Sequence, residues 1–266
     1  MTCAVRCGGW IWSKTRMNEH LRFEGLGYEA FRLRAADPSL SRHEKVGFPD
    51  SYREGREEAI FADVLRKIPA LQEANKSVVE IGPGCAGLPV ALIALCEAKG
   101  HVVTMIDAPE MLALLPSSPA LRRVPGRFPD DCAEILAGLA GTVDAVVAYS
   151  VVQYAFAEGN VWRFLDCALS LLAPGGRLLC ADIPNRSMRN RFLASEAGHR
   201  YHREYSGRDE APSVGFGRPA PGEMDDAVVL GMLMRAREAG FHGYVLPQDG
   251  ALPMASRRED LLFVRP

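Results

Sequence analysis

Residues 77 to 112, SVVEIGPGCAGLPVALIALCEAKGHVVTMIDAPEML, constrain the fold more than any other stretch of the chain. Ser77 to Ile81 is a short β-branched run, the pattern of a strand covered on both faces. Gly82, Gly84 and Gly87 follow in G-x-G-x-x-G spacing. Pro89 falls near the first turn of the next helix, where a missing N–H costs nothing. Leu88, Leu92 and Leu95 then recur at helical spacing until Gly100 stops the helix. His101 to Ile106 supplies a second strand, and Asp107 stands at its C-terminal end. Such a unit suits an adenosine-containing cofactor: the glycines let the backbone approach it, and the acid accepts the ribose hydroxyls.

Dinucleotide enzymes share glycines of this spacing, and Glu80 separates the two cases. It stands two residues before the first glycine, where a pyrophosphate site wants a small apolar side chain. A carboxylate there faces two phosphate charges across a poorly solvated crevice, and like charges repel strongly in such a place. S-adenosylmethionine (SAM) has no phosphate; it brings an α-ammonium and a sulfonium, which an acid suits. The run V-V-E-I-G-P-G-C-A-G resembles the first motif of class I SAM-dependent methyltransferases.

The rest of the chain continues the alternation. Leu121 to Val124, leading into Gly126-Arg127-Phe128, reads as a third strand edge, and Asp130 or Asp131 can cap a helix through Ile135 and Leu139. Val143 to Tyr149 is a fourth strand, followed by a helix from Asn160 to Leu172 with Val161, Phe164, Leu165 and Ala168 on one face. Pro174-Gly175-Gly176 turns into a fifth strand, Arg177 to Ile183. A helix from Asp226 to Ala239 precedes two last strands, roughly Tyr244 to Pro247 and Asp260 to Val264. The expected fold is α/β: a doubly wound, mostly parallel seven-stranded sheet with helices on both faces and an N-terminal helical lid. The resemblance, which covers roughly residues 77 to 183, adds that the last strand runs antiparallel.

The expected organisation is a disordered extension over residues 1–20, a lid over 21–76 and the SAM-binding domain over 77–266, with a substrate-side insertion at 184–225. At 266 residues with 48% hydrophobic content, the chain can bury a substantial core. The net charge of −2 gives no global field to attract nucleic acid or an anionic membrane. No apolar run reaches membrane-spanning length. Seven cysteines without a C-x-x-C pair argue for buried thiols in a cytoplasmic protein rather than a zinc site or a disulfide framework. No carboxylate pattern stands out as a metal site. A homodimer through the N-terminal helices is compatible with the sequence, but nothing marks it.

The resemblance implies a cofactor site, SAM being the cofactor. Glu80, Gly82, Pro83 and Gly84 line its methionine end. Asp107 and Ala108 hold the ribose, and Met111 packs on the adenine. Many relatives carry an acid at the third strand for the adenine amine; here Arg127 and Phe128 stand there, with Phe128 the stacking candidate. Tyr149 and Ser150 face the reactive methyl group, with Gln153 and Tyr154 within one turn of the acceptor. A hydroxyl acceptor needs a base, and Asp182, His199 and His202 are the candidates. Residues 186 to 208 hold six arginines against two glutamates, and Arg186 and Arg189 are candidates for an anionic substrate. A solvated amphipathic helix explains that segment equally well.

The expected function is transfer of a methyl group to a small polar molecule, such as a hydroxyl of a sugar, nucleotide sugar or other anionic metabolite, carbohydrate or phosphorylated in kind. Nucleic acid is disfavoured by the negative charge and by the lack of an RNA-binding module. Two other readings remain: a non-catalytic SAM-binding partner subunit, and an NAD-dependent oxidoreductase, against which stand Glu80 and the absence of a Tyr-x-x-x-Lys pair.

Overall fold

A computed structural model of the chain describes residues 25–218 and 220–266; the extension expected over residues 1–20 lies outside them. Four helices come first: α1 (Tyr28–Ala36), α2 (Arg42–Lys45), α3 (Asp50–Arg53) and α4 (Glu57–Lys67). The sheet is built from β1 (Ser77–Ile81), β2 (Val102–Asp107), β3 (Leu121–Pro125), β4 (Val143–Tyr149), β5 (Leu172–Pro184), β6 (His242–Pro247) and β7 (Arg258–Val264). Its order is β3-β2-β1-β4-β5-β7-β6, parallel through β5, with β7 antiparallel to both its neighbours. Between the strands lie α5 (Gly87–Lys99), α6 (Pro109–Leu112), α7 (Ala133–Leu139), α8 (Val152–Glu158) and α9 (Val161–Ser170). The insertion carries α10 (Arg186–Leu193) and α11 (Glu196–Ser206), and α12 (Asp226–Glu238) leads to β6.

Each face of the sheet buries its own core, which is why Ala145 to Ala148 in β4 read as a continuous apolar run and lie wholly inside. On one face Val78, Met105 and Val147 pack against Ile60 and Val64 of α4 and Leu92 and Cys96 of α5. On the other, Val79, Ile81 and Val146 meet Phe164 and Leu165 of α9 and Met232 of α12. Burying each of these Leu, Ile, Val or Phe side chains stabilises the fold by roughly 1.5–3 kcal/mol. Asn160 starts α9 by accepting from the N–H groups of Trp162 and Arg163, so the apolar stripe of α9 meets the sheet in register. Among the described residues no helix is long and apolar enough to cross a membrane, and no cluster of His, Cys, Asp or Glu is placed to hold a metal.

Local details differ from the sequence reading. Pro174-Gly175-Gly176 is not a turn before the fifth strand. It lies inside β5 as a bulge, the register jumping from Val143↔Leu172 to Ala145↔Arg177. Asp131 does not cap α7, because its carboxylate accepts from the N–H of Arg127; Asp130 pairs with Arg163, and Cys132 holds the cap position.

The order places β1 between β2 and β4, so the chain leaves β1 on one side and returns on the other. A crevice opens at the carboxyl ends of these strands, and ligands of doubly wound sheets bind there.

Candidate functional site

The crevice holds a cavity of about 1090 Å³, counting the open space at its mouth. Its floor is the turn after β1. Gly82 and Gly84 are both left-handed, with φ of 63° and 65°. A side chain at Gly82 would lie 2.7 Å from Val151, and one at Gly84 2.5 Å from Val46 of the N-terminal segment. Gly87 starts α5, where an added Cβ would lie 2.7 Å from Cγ of Glu57. That space admits the Glu57 carboxylate, whose Oε1 accepts from the N–H of Gly87 at 3.2 Å. The same oxygen lies 2.8 Å from Nε2 of His43, whose Nδ1 is 2.8 Å from Asp50.

Asp107, at the end of β2, accepts from the N–H groups of Gly84 at 2.9 Å and Ala108 at 2.7 Å. Burial lifts its carboxyl to about 6 against those two hydrogen bonds, which favour the anion. Beyond it the walls turn apolar. Met111 and Phe128 line the cavity, Phe128 meeting Phe164 edge-on at 5.1 Å. Arg127 pairs with Glu158, which also accepts from the N–H of Tyr28 at 3.1 Å. That bond fixes the start of α1 over the cavity. Arg32 clasps Glu110 at 2.8 Å, and Phe31 meets Tyr154 edge-on at 5.0 Å, so α1 is tied across the mouth.

The opposite end lies at the ends of β4 and β5. Ser150 and Asp182 adopt φ of 58° and 57°, which side-chain-bearing residues take at a cost of order 1 kcal/mol each. Ser150 sits in the bend after β4 and Asp182 inside β5, where its register against β7 shifts between Cys180 and Ile183, and the Ser150 hydroxyl donates to Oδ2 of Asp182. Arg53 donates from Nη2 to Ser150 at 3.1 Å and to Asp182 at 3.2 Å, and its guanidinium lies 4.1 Å above the Phe48 ring. Arg258 donates to the same Asp182 oxygen at 2.8 Å. Oδ1 of Asp182 accepts from Gln248 at 3.4 Å. Burial first, and then the charge of Asp182, push the Tyr149 hydroxyl well above its ordinary range.

Of the residues expected at the site, Gly82, Pro83, Gly84, Asp107, Met111, Phe128, Tyr149, Ser150 and Tyr154 line this cavity. Glu80 does not. Its register partners Met105 and Val147 belong to the core under α4 and α5, and its side chain shares that face behind the strand. It is 1% exposed, both carboxylate oxygens lack a partner among the described residues, and burial followed by the charge of Asp107 raises its carboxyl to about 8. Ala108 contributes its N–H to Asp107 from outside the lining. Gln153 turns back to the carbonyl of Ser150.

Asp182 reaches the cavity only through Ser150 and Arg53. Arg186 pairs with Glu223 at 3.0 Å, and neither it nor Arg189 on the same helix lines the cavity. His199 is exposed in a separate surface hollow between α11 and residues 209–211, and His202 also lies outside the cavity.

Arg53 and Glu57 line the cavity and were not legible in the sequence. Both stand in an ordinary polar stretch, S-Y-R-E-G-R-E-E, Arg53 ending α3 and Glu57 starting α4, and only contacts across 30 and 97 residues bring Glu57 to the glycine turn and Arg53 to Ser150.

No protein-family model matches the sequence, and no curated protein matches it. Solved structures do resemble the fold. The plantazolicin methyltransferase BpumL, solved with S-adenosylhomocysteine (SAH) and a triazolic substrate analogue, aligns at TM-score 0.55 and 10% identity, over 95% of this chain and 99% of that one. The CurJ carbon methyltransferase aligns at 0.56 and 14%, over 96% of this chain and 70% of that one. An O-methyltransferase family protein from Burkholderia thailandensis aligns at 0.52 and 17%, over 96% and 68%. The fold is therefore the class I, Rossmann-like methyltransferase fold.

Proposed function

We propose that the chain is a SAM-dependent methyltransferase. One observation carries the reading: the N–H groups that a pyrophosphate would need are already taken by carboxylates of the chain itself. Gly84 N–H donates to Asp107, and Gly87 N–H at the start of α5 donates to Glu57. A diphosphate would have to displace two anions from that helix start, whereas a cofactor without phosphate displaces none. The other residues present fit SAM as well. Asp107 offers carboxylate oxygens to a ribose diol, and Met111 and Phe128 offer apolar faces to an adenine ring. The likeness in fold to enzymes solved with SAH supports the same ligand.

When bound, SAM supplies an electrophilic methyl group and its own leaving group. The chain's part is to orient the acceptor and exclude water. Tyr149, Ser150 and Tyr154 present hydroxyls at the end of the cavity opposite the adenine site, and α1 shuts out solvent above them. For the acceptor we propose a hydroxyl of a small polar molecule, of the sugar, nucleotide-sugar or anionic-metabolite kind. The hydroxyl-lined end supports this. The arginines of the insertion support it less, because Arg186, Arg191 and Arg203 are each paired with an acid of the chain. Of the three residues expected as bases, Asp182 alone touches the cavity wall, one hydroxyl behind it.

A second reading, a SAM-binding partner without catalysis, draws on a specific observation. No histidine lines the cavity, and both oxygens of Asp182 accept bonds within the chain. Calorimetry with SAM, SAH and NAD tests the cofactor; binding of the two methionine derivatives without NAD is expected. NAD binding without SAM overturns the proposal. Formation of SAH in a screen of hydroxylated acceptors then separates the enzyme from the non-catalytic partner.

A further inference from the structure

If the cavity takes SAM, its methionine end must place two opposite charges, a carboxylate and an α-ammonium, inside a largely apolar crevice. Five charged side chains line the cavity: Arg53, Glu57, Asp107, Arg127 and Glu158. Arg127 and Glu158 answer each other across the start of α1. Asp107 stands at the end of β2, where the ribose belongs. Arg53 and Glu57 remain, four residues apart on either side of the left-handed turn at Gly55 and close to Gly82, Gly84 and Ser150.

Both carry unused bonding capacity and a local excess of charge. Arg53 uses Nη2 alone, leaving Nε and Nη1 without partners among the described residues. The Phe48 ring lies 4.1 Å from the guanidinium carbon and limits its movement, so the free Nε–H and Nη1–H groups are held at the cavity. Its partner Asp182 is shared with Arg258, two guanidiniums on one carboxylate oxygen. Glu57 uses Oε1 alone, and Oε2 has no partner among the described residues. His43 lies between Glu57 and Asp50, one imidazole between two carboxylates, so negative charge remains whichever protonation state it takes. Glu80 has no comparable access, since it lies behind β1.

The geometry points to a zwitterion clamp, resting on the SAM reading above: the free edge of Arg53 takes the methionine carboxylate, and Oε2 of Glu57 takes the α-ammonium. Both residues come from the N-terminal segment, so cofactor binding and closure of that segment over the glycine turn are one event.

The test is calorimetry with four ligands: SAH, 5′-methylthioadenosine, an adenosine thioether ending in a propylamine, and one ending in a butyrate carboxylate. Replacing Arg53 with Lys keeps a cation beside Asp182 but removes the fork. It is expected to weaken SAH and the carboxylate analogue by about 10-fold or more and to leave the amine analogue and methylthioadenosine unchanged. Glu57→Gln is expected to give the mirror pattern, weakening SAH and the amine analogue only. Methylthioadenosine serves as the folding control, because it carries neither charge.

Equal losses for all four ligands, or undiminished SAH affinity in both variants, overturn the clamp while leaving the SAM proposal standing. Undiminished SAH affinity with a raised KM for the acceptor in Arg53→Lys also overturns it and transfers Arg53 to the acceptor. Wild-type protein that binds neither SAH nor methylthioadenosine removes the SAM reading itself.

Discussion

The two ends of the cavity are built in different ways. The end proposed for adenosine comes from one contiguous unit: β1, the glycine turn, α5, β2 and Asp107 follow each other within about 30 residues, with Met111 one turn beyond. The end proposed for methionine is assembled from Phe48, Arg53 and Glu57 of the N-terminal segment and from Ser150 after β4 and Asp182 in β5. A contiguous unit places its own side chains through local backbone geometry. An assembled end depends on packing between segments far apart in sequence, and it can be lost without loss of the fold.

The largest effect is expected where the contiguous end meets the ligand. Asp107→Ala removes the carboxylate proposed for the ribose hydroxyls and also frees the N–H groups of Gly84 and Ala108. Two hydrogen bonds to a charged group amount to roughly 3–6 kcal/mol, so SAH affinity should fall about a thousandfold. The wild type should show a milder form of the same loss. Burial raises the Asp107 carboxyl to about 6, and the anion is the form proposed to accept the ribose hydroxyls, so affinity should decline as pH falls through 6. Calorimetry between pH 5 and 8 checks both, and a flat profile would detach Asp107 from the ribose.

Glu80 and Glu57 sharpen the comparison, because the sequence points to one and the structure brings the other to the cavity. Glu80 has an ordinary value of 4.5 raised to about 8 by burial. Between those values the folded state keeps a proton that the unfolded state has released, so stability falls as pH rises through that window. Glu80→Gln removes the slope. The variant should be more stable than wild type by on the order of 5 kcal/mol at pH 9, with the two close to equal near pH 4. Urea titrations across that range measure it, and parallel pH profiles for the two proteins would mean that Glu80 ionises freely in the fold.

A smaller effect is expected at Gly87, where the contiguous and assembled ends touch. Alanine favours a helix over glycine by up to about 1 kcal/mol. Its Cβ, however, would sit 2.7 Å from Cγ of Glu57 and push that carboxylate from the start of α5. Crowding of this kind costs roughly 1–3 kcal/mol, so the net expectation is about a tenfold loss in SAH affinity. Gly138→Ala, whose added Cβ meets nothing within 4 Å, is the control on a helix. Equal behaviour of the two variants would separate Glu57 from the ligand.

The same division explains what could be read from the sequence. The apolar run of β4, the stripe on α9 and the glycine spacing are periodic signals set by local geometry and burial, and they appear as strand, helix and turn. Glu80 was misread as facing the crevice because a strand buried on both faces has no polar face to fix the phase of its side chains. Only the pairing with Met105 and Val147 shows which face it takes. Arg53 and Glu57 leave no local trace, since an arginine at the end of one short helix and a glutamate at the start of the next are ordinary surface chemistry. Asp182 was visible as the acid near the end of the fifth strand, but its engagement by Arg53, Arg258 and Ser150 depends on three other segments.

The smallest effect is expected for the two histidines of the insertion. Basic and aromatic residues crowd 186 to 208, and that composition made His199 and His202 candidates for a base. In the fold Tyr201 stacks on Tyr205 at 5.7 Å and receives a hydrogen bond from Arg257 at 3.0 Å, so the aromatic residues of α11 serve its packing onto the body of the domain. His199 lines a hollow with Glu196, Arg203 and Asp209, and none of these lines the cavity that holds Ser150 and Tyr149. A base must come within hydrogen-bond reach of the proton it removes, directly or through one water. Replacing either histidine with alanine should therefore leave kcat and KM within about twofold of wild type, as for other surface substitutions. A loss of tenfold or more in kcat with unchanged SAH affinity would mean that α11 swings over the acceptor during turnover, and the assembled end of the site would then extend into the insertion.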